Sequence, residues 1–544
     1  MEKTLQFIAV GVLLGAMGGM PAVTSAELAE KTDISQEATP PDQATQDAEP
    51  ADDADSMEDD AENAENPDAE AGHAASLAKN FEGITLQHRV NAADAPQPLK
   101  QIKADPLILL QTFKQDIMEI IQANSKPLKI ASEIKLLLSE LLSKQVGELP
   151  SVTVETTVDA AGKGVSQVVF PAYQHVEPAA GEIKKFTIDF KGLGAQLQFP
   201  EAFTTSSYHI DFSGLTLEED NQYKLVLDKT TSEGKFDTDF IPLKTLANLS
   251  KLEFNNTQEG FKVLIENGSS DTTLEKLKNA VEVQMGSLKL GKFELQHGDM
   301  QSKFDRLEAN FGGTEQADMV DFFLNSKFNG EILPKEVVDE SLTLHYSSQL
   351  ELQHLVAEAI VELQQVAQDF EKQRLKGVIS EDTMYLMLFS KFMEVAPKLA
   401  VKSPELALSE LSLKTNYGQL TGNTSFGIDG AKFKSLADFT SLMNALRMQS
   451  DLTISKKLLQ KFLVTLSSES VTVDEKTDKK PSKEAIEKQA IAQAQTTIND
   501  LLRDKWLVEQ ADNYRFVASL QANKFVVNGI EKPSPLSEFM EAER

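Results

Sequence analysis

Apolar residues recur along this chain with two different periods, and the switches between them mark out its organisation. Asp105-Pro106 sets a capping residue before a proline, the pairing that opens a helix. Leu109, Leu110, Phe113, Ile117, Ile120 and Ile121 then follow at helical spacing. Beyond Pro127 a second stripe, Ile130, Ile134, Leu137, Leu138, Leu141 and Leu142, predicts the other arm of a helical hairpin. Neither arm has a notably basic polar face, so packing against a core is expected over lying on a membrane surface.

From about Val152 to His345 the period becomes two. Phe186, Ile188 and Phe190 alternate with polar residues, as do Tyr208, Ile210 and Phe212, then Tyr223, Leu225 and Leu227. Phe261 to Ile265, Val281 to Met285, and Leu288 with Leu290 continue the pattern. Strands with one apolar face predict an antiparallel sheet covered on one side. Asn267-Gly268 and Asn329-Gly330 are predicted as hairpin turns.

Helical spacing returns at Leu352, Leu355, Val356, Ile360, Leu363, Val366 and Phe370, with Gly377 as its stop, and a second helix is predicted over Glu381 to Val395. Strands resume at Leu411 and Leu413, turn at Asn416-Tyr417-Gly418, and continue through Leu420, Phe426 and Ile428, then Leu446 to Ile454. Ser455 caps a helix carrying Leu458, Leu459, Phe462, Leu463 and Leu466. Ser467 to Ser482 reads as a polar loop, and Ile486 to Leu502 as a long final helix. Tyr514 to Leu520 and Phe525 to Val527 close the chain as paired strands, with a turn at Asn528-Gly529. The fold class expected is α+β: a long, mainly antiparallel β-rich body with amphipathic helices at several points.

The N-terminus follows neither period. Leu5 to Met17 is mostly apolar, and its 13 residues suit the core of a signal peptide. A membrane span needs about 20. Small residues at Thr24 and Ala26 place cleavage after Ala26. The alternative is an uncleaved inner-membrane anchor facing the periplasm. Glu27 to Gly72 holds 17 acidic residues and one basic residue, −16 of the chain's −31. With so few large apolar residues it predicts a disordered acidic spacer. The segments expected are 1–26 signal peptide, 27–75 acidic tail, 76–150 helical segment, 151–349 β-rich region, 350–400 helical pair and 401–544 α+β region.

Composition narrows the chemistry. The 544 residues include no Cys, which removes disulfides, thiolate nucleophiles and Cys-ligated metals. An acidic excess of 84 Asp and Glu over 53 Lys and Arg argues against a nucleic-acid partner.

Three stretches resemble the YdgA-like family, bacterial envelope proteins whose function is unassigned. They are Ala396-Pro397 through Ser403-Pro404-Glu405-Leu406 to the Gly418 turn, Leu446 to Leu463, and the closing helix with Tyr514 to Gly529. A weaker likeness covers Gly286 to Leu307. The resemblance implies an N-terminal membrane anchor, where this chain has a short apolar segment and an acidic tail, and it implies no active-site residues.

No nucleophile elbow or phosphate loop appears, and Gly192-Leu193-Gly194 lacks the third glycine of a dinucleotide fingerprint. Asp52-Asp53-Ala54-Asp55 lacks the glycine and closing Glu of an EF-hand loop. The seven histidines, His73, His88, His175, His209, His297, His345 and His354, form no His-Glu-x-x-His pair. His297-Gly298-Asp299 reads as a surface turn, His209 as a solvent-facing strand residue and Trp506 as a packing anchor. No catalytic or ligand-binding residue is assignable, and neither a metal nor a cofactor is expected. The function expected is that of an exported, periplasmic, non-catalytic cell-envelope protein that binds an apolar ligand such as lipid, or a protein partner. Membrane association would come through the N-terminal segment. The alternative is a hydrolase of envelope polymer with Asp or Glu as acid and base. On the first reading, the Phe186–Phe190 and Tyr208–Phe212 strands are the candidates to line an apolar groove.

Overall fold

The computed structural model describes residues 81–534, apart from 92–94, 103–105, 180–184, 202, 299, 334–340, 376–380 and 471–482. The signal segment, the acidic tail, His73 and most of the Ser467–Ser482 loop therefore lie outside the described residues. Among the described residues, 25 strands join into one continuous sheet.

The first strands are β1 (Phe81–Val90), β2 (Lys100–Ile102), β3 (Leu128–Leu138), β4 (Val152–Val158) and β5 (Gly164–Phe170). Next come β6 (Tyr173–Glu177), β7 (Phe186–Phe190), β8 (Leu193–Phe199), β9 (Thr205–Phe212), β10 (Leu215–Glu219), β11 (Tyr223–Leu227) and β12 (Thr230–Asp237). Six long strands follow: β13 (Pro242–Asn256), β14 (Phe261–Lys276), β15 (Glu282–His297), β16 (Met300–Gln316), β17 (Met319–Leu333) and β18 (Leu342–Val356). The last are β19 (Glu405–Thr415), β20 (Gly418–Ile428), β21 (Leu446–Ser455), β22 (Val508–Gln510), β23 (Asn513–Gln521), β24 (Lys524–Val527) and β25 (Ile530–Lys532). The helices are α1 (Pro106–Ala123), α2 (Glu140–Val146), α3 (Ala357–Leu375), α4 (Glu381–Ala400), α5 (Phe439–Ala445), α6 (Lys456–Ser470) and α7 (Lys483–Arg503). Helices set beside a large antiparallel sheet make this an α+β protein.

From β13 to β21 each strand pairs antiparallel with the next, in chain order. Strands of 15 to 17 residues from β13 to β18 span roughly 50 Å at ~3.3 Å per residue. The sheet forks at β13. Along one edge, residues 242–249 pair with β12 while 252–256 pair with β11. The β12 branch continues through β9, β8, β5, β4, β3 and β1 to the three-residue edge strand β2. The β11 branch continues through β10 and β7 to the five-residue β6. The two branches bury apolar residues against each other: Phe186 and Ile188 from β7, Leu215 and Leu217 from β10, and Phe212 from β9 form one cluster.

At the N-terminal end α1 lays Phe113, Ile117, Ile120 and Ile121 on Ile84, Leu86, Ile130 and Val154 of the sheet. The stripe read there as helical does form a helix. Most of the second arm does not, and only Leu141 and Leu142 fall on a helix, α2. Leu128 to Leu138 is strand β3, with Leu128, Ile130, Ser132 and Ile134 alternately buried. Strand pairing with β1 and β4 on both edges overrides the i, i+4 spacing that suggested a helix. Likewise Leu352 and Leu355 belong to β18, and α3 starts only at Ala357.

Two predicted turns are also corrected. Asn267-Gly268 lies inside β14 and Asn329-Gly330 inside β17. Asn267 takes φ 56°, a local break in a continuing strand. Gly330 gives the Phe304 ring its place on the neighbouring strand, where a Cβ would come within 2.5 Å of the ring. The closing hairpin is as read, with Asn528 and Gly529 both at positive φ.

Candidate functional site

The long strands carry an apolar face whose alternation is clearest on β17 and β18. Phe322, Leu324, Phe328 and Ile332 share one phase of β17, and Asp321, Asn325, Lys327 and Glu331 occupy much of the other. On β18, Leu344, Tyr346, Leu350 and Leu352 share a phase against Thr343, His345, Gln349 and Glu351. Register then aligns these residues across strands. Phe322 faces Leu352, Leu352 faces Leu406, Leu406 faces Phe426, Phe426 faces Met448 and Met448 faces Leu520. A parallel row runs Phe311, Leu324, Leu350 and Leu408.

These rows are closed at one end and open in the middle. Leu520 and Met448 pack with Trp506, Phe516 and Phe525, so Trp506 is the packing anchor expected of it. Leu324, Leu352, Leu406 and Phe426 remain 39%, 38%, 43% and 51% exposed. Adjacent apolar side chains open to solvent on successive strands form a patch, which is more informative than isolated surface leucines. Beside them an aromatic file crosses four strands: Phe293 to Phe304 at 5.8 Å, Phe304 to Phe328 at 5.4 Å and Phe328 to Tyr346 at 4.8 Å between ring centroids.

Helix α4 adds a second apolar surface. Its C-terminal half buries Val395, Ala396, Leu399 and Ala400, with Val395 and Leu399 packed on Val281, Val283 and Val320. Lys391 and Lys398 anchor it to Glu362 of α3 at 2.7 and 2.6 Å. Its N-terminal half leaves Tyr385, Leu386, Phe389 and Phe392 exposed.

On the strands that sequence reading offered as groove walls, Tyr208 and Ile210 are half-buried, while the other apolar residues are packed. Phe186, Ile188 and Phe212 belong to the closed cluster between the branches. The open face comes from later strands, where among the described residues the same alternation leaves Leu352, Leu406 and Phe426 exposed.

A polar constellation lies under α1. His88 on β1 is 2% exposed, with Nδ1 2.8 Å from the Ser132 hydroxyl and Nε2 3.2 Å from Asp116 Oδ2. Lys100 Nζ donates to Asp116 Oδ1. The chemistry is that of a Ser-His-Asp relay, but Ser132 and Asp116 are buried as well. A nucleophile must reach a substrate carbonyl, and a serine sealed beneath a helix cannot. The network fastens α1 to β1 and β3. Burial holds the His88 imidazole below its ordinary pKa, against the pull of Asp116, so it stays neutral at physiological pH. No spacing rule finds these residues, because they sit on four elements, β1, β2, α1 and β3, and meet only in the fold.

The other described histidines are surface groups or packing partners. His209 lies 3.2 Å from Asp211 and 3.4 Å from Glu233, so charged neighbours join the solvent expected there. His345 meets Asn329 at 2.8 Å, and His297 rests edge-on against Phe261. Among the described residues no three of His, Cys, Asp and Glu gather where they could hold a metal ion. Among the same residues no helix is long and apolar enough to cross a membrane.

A family model described as a bacterial protein of unknown function, DUF945, matches residues 120–535. The chain belongs to that family. The match takes in the whole long-stranded meander and the open apolar face, and it begins inside α1, after His88, Lys100 and Asp116. Comparison with curated proteins and with solved structures returns no match.

Proposed function

We propose that the protein is an exported, non-catalytic component of the bacterial cell envelope that holds an apolar ligand, such as a lipid chain, against the open face of β17 to β20. The observation that carries this reading is the exposed run Leu352, Leu406 and Phe426, aligned by register, with exposed Leu324 in the neighbouring row and an aromatic file beside them. A face of this kind excludes water from a hydrocarbon chain without a polar reaction centre. The hydrolase alternative has less support: Asp116, buried at 4% exposure, is already engaged by Lys100 and His88. Within DUF945 we place the chain with the YdgA-like envelope proteins, on the stretches from Ala396 to Gly418, Leu446 to Leu463 and Tyr514 to Gly529.

Full-length protein purified from an exporting host is expected to carry hydrocarbon-rich material extractable by organic solvent and visible by mass spectrometry. Leu406→Asp and Phe426→Asp keep their new carboxylates in solvent, so both variants fold. Each is expected to lose most of the retained material, about tenfold for one apolar contact turned polar. Wild-type protein free of apolar material, or variants that retain it fully, refutes the reading.

Export has its own test. The mature chain is expected to start at Glu27 and to appear in the periplasmic fraction, as read by N-terminal sequencing and intact mass. An intact Met1 start in washed membranes identifies the anchored form instead.

A further inference from the structure

We infer that the cleft at the ends of β4, β5, β8, β9 and β12 binds an oxyanion of the size and charge of a phosphate group. The cleft encloses about 600 Å³ and is lined by Ser206, Ser207, Lys163, Lys235 and Asp159, among others. It lies on the β12 branch, and the inference does not rest on the apolar face.

Three observations converge there. Ser206 is 1% exposed, yet its hydroxyl has no hydrogen-bond partner among the described residues. A buried hydroxyl without a partner is costly to keep, and a ligand oxygen in the cleft supplies one. Lys235 stands directly opposite Lys244 across the β12–β13 ladder. Like charges in register repel, and among the described residues neither forms an ion pair. Lys163, on the β4–β5 side of the cleft, is likewise without an ion pair among the described residues.

Elsewhere in the chain several lysines are matched: Lys191 with Asp189, Lys251 with Glu253 at 2.7 Å, Lys126 with Glu201. The carboxylate that lines the cleft, Asp159, turns Oδ1 to the N–H groups of Ala161 and Lys163 at 2.8 and 2.9 Å, closing its own turn. An acidic protein offers an anion no long-range attraction, so recognition has to come from these short contacts. Two ammonium groups and one hydroxyl donate to an oxyanion and accept nothing from it, which matches phosphate and selects against neutral ligands.

The test uses the full chain at constant ionic strength. Sodium phosphate replacing sodium chloride is expected to raise the melting temperature with saturation, and calorimetry to give one site. Lys235→Gln is expected to weaken binding roughly tenfold, and to melt higher than wild type in phosphate-free buffer because the facing charge is gone. Ser206→Ala reports the hydroxyl separately, with weakened binding in a folded protein. Vesicles of phosphatidylcholine with and without phosphatidylglycerol separate the sources of the group. Binding of phosphate with equal indifference to both vesicles marks a soluble phosphate compound. Binding only to phosphatidylglycerol vesicles, lost in Lys235→Gln, marks a lipid headgroup. No response to phosphate or to anionic vesicles, or a response unchanged in Lys235→Gln, overturns the inference.

Discussion

Replacing Ile188 with aspartate is expected to abolish cooperative folding. Ile188 lies on β7 between Leu217 and His175 in register and is buried among Phe186, Phe212 and Leu225. A carboxylate there has no Lys or Arg within the cluster and, at a position only 9% exposed, little water. Burying an unpaired charge costs several kcal/mol, against a typical domain stability of about 5–15 kcal/mol. The cluster also joins the two branches, so its loss frees both from each other. Circular dichroism melting checks this: the variant should lose its sharp transition while Phe426→Asp melts close to wild type. A sharp transition in Ile188→Asp within a few degrees of wild type means that the branches do not seal this cluster in solution.

Asp116→Ala is the second large effect. It leaves the buried His88 Nε2 without its partner and removes the carboxylate that draws Lys100 to α1. Lys100 is half exposed and regains water, whereas the imidazole does not. The expected loss is about 2–4 kcal/mol, from a buried polar group left unpaired. Chemical denaturation at pH 7 measures it directly, and a midpoint equal to wild type would show that the network contributes nothing.

The same site sets a pH signature. The His88 pKa is lowered in the folded protein by burial, below its ordinary value of 6.5. As pH falls through about 6.5, the unfolded chain takes up a proton that the folded chain refuses, so stability declines until the lowered folded pKa is reached. Above 6.5 the contribution is fully present. His88→Gln should flatten the stability profile between pH 7 and pH 5 relative to wild type, and an unchanged slope would assign the dependence to other groups.

How much of this was legible in the sequence depends on how far apart the partners lie. The alternation in β17 and β18 shows each strand's apolar side without reference to anything else. What the alternation cannot show is whether a second layer covers it: Ile188 and Leu352 look alike in sequence, and only the fork at β13 buries the first. β3 was hidden for a specific reason. Its buried phase runs Leu128, Ile130, Ser132, Ile134, and the serine that meets His88 interrupts the apolar alternation. The polar contact that ties α1 to the sheet therefore also disguised the strand as a helix. Asn267 and Gly330 misled in the other direction, because turn-forming residues also serve where a long strand must bend or admit a ring. Lys163 and Lys235 of the cleft carry no sequence signal at all, since they come together only in the fold, as Lys235 meets Lys244 only through strand register.

The fork has a consequence for how this molecule behaves in a crowded compartment. A sheet of this breadth would ordinarily present two long hydrogen-bonding margins to any passing chain. Here the outermost strands are β2, β6, β22 and β25, of three, five, three and three residues. Foreign strands that add to these margins gain a ladder of only a few residues, too short to repay the order it imposes. The 15- to 17-residue strands, which would be potent templates for polymerisation, all lie inside the sheet with both margins occupied. Removing β19 to β25 would leave β18 as a long bare margin, on which copies of the chain would assemble edge to edge.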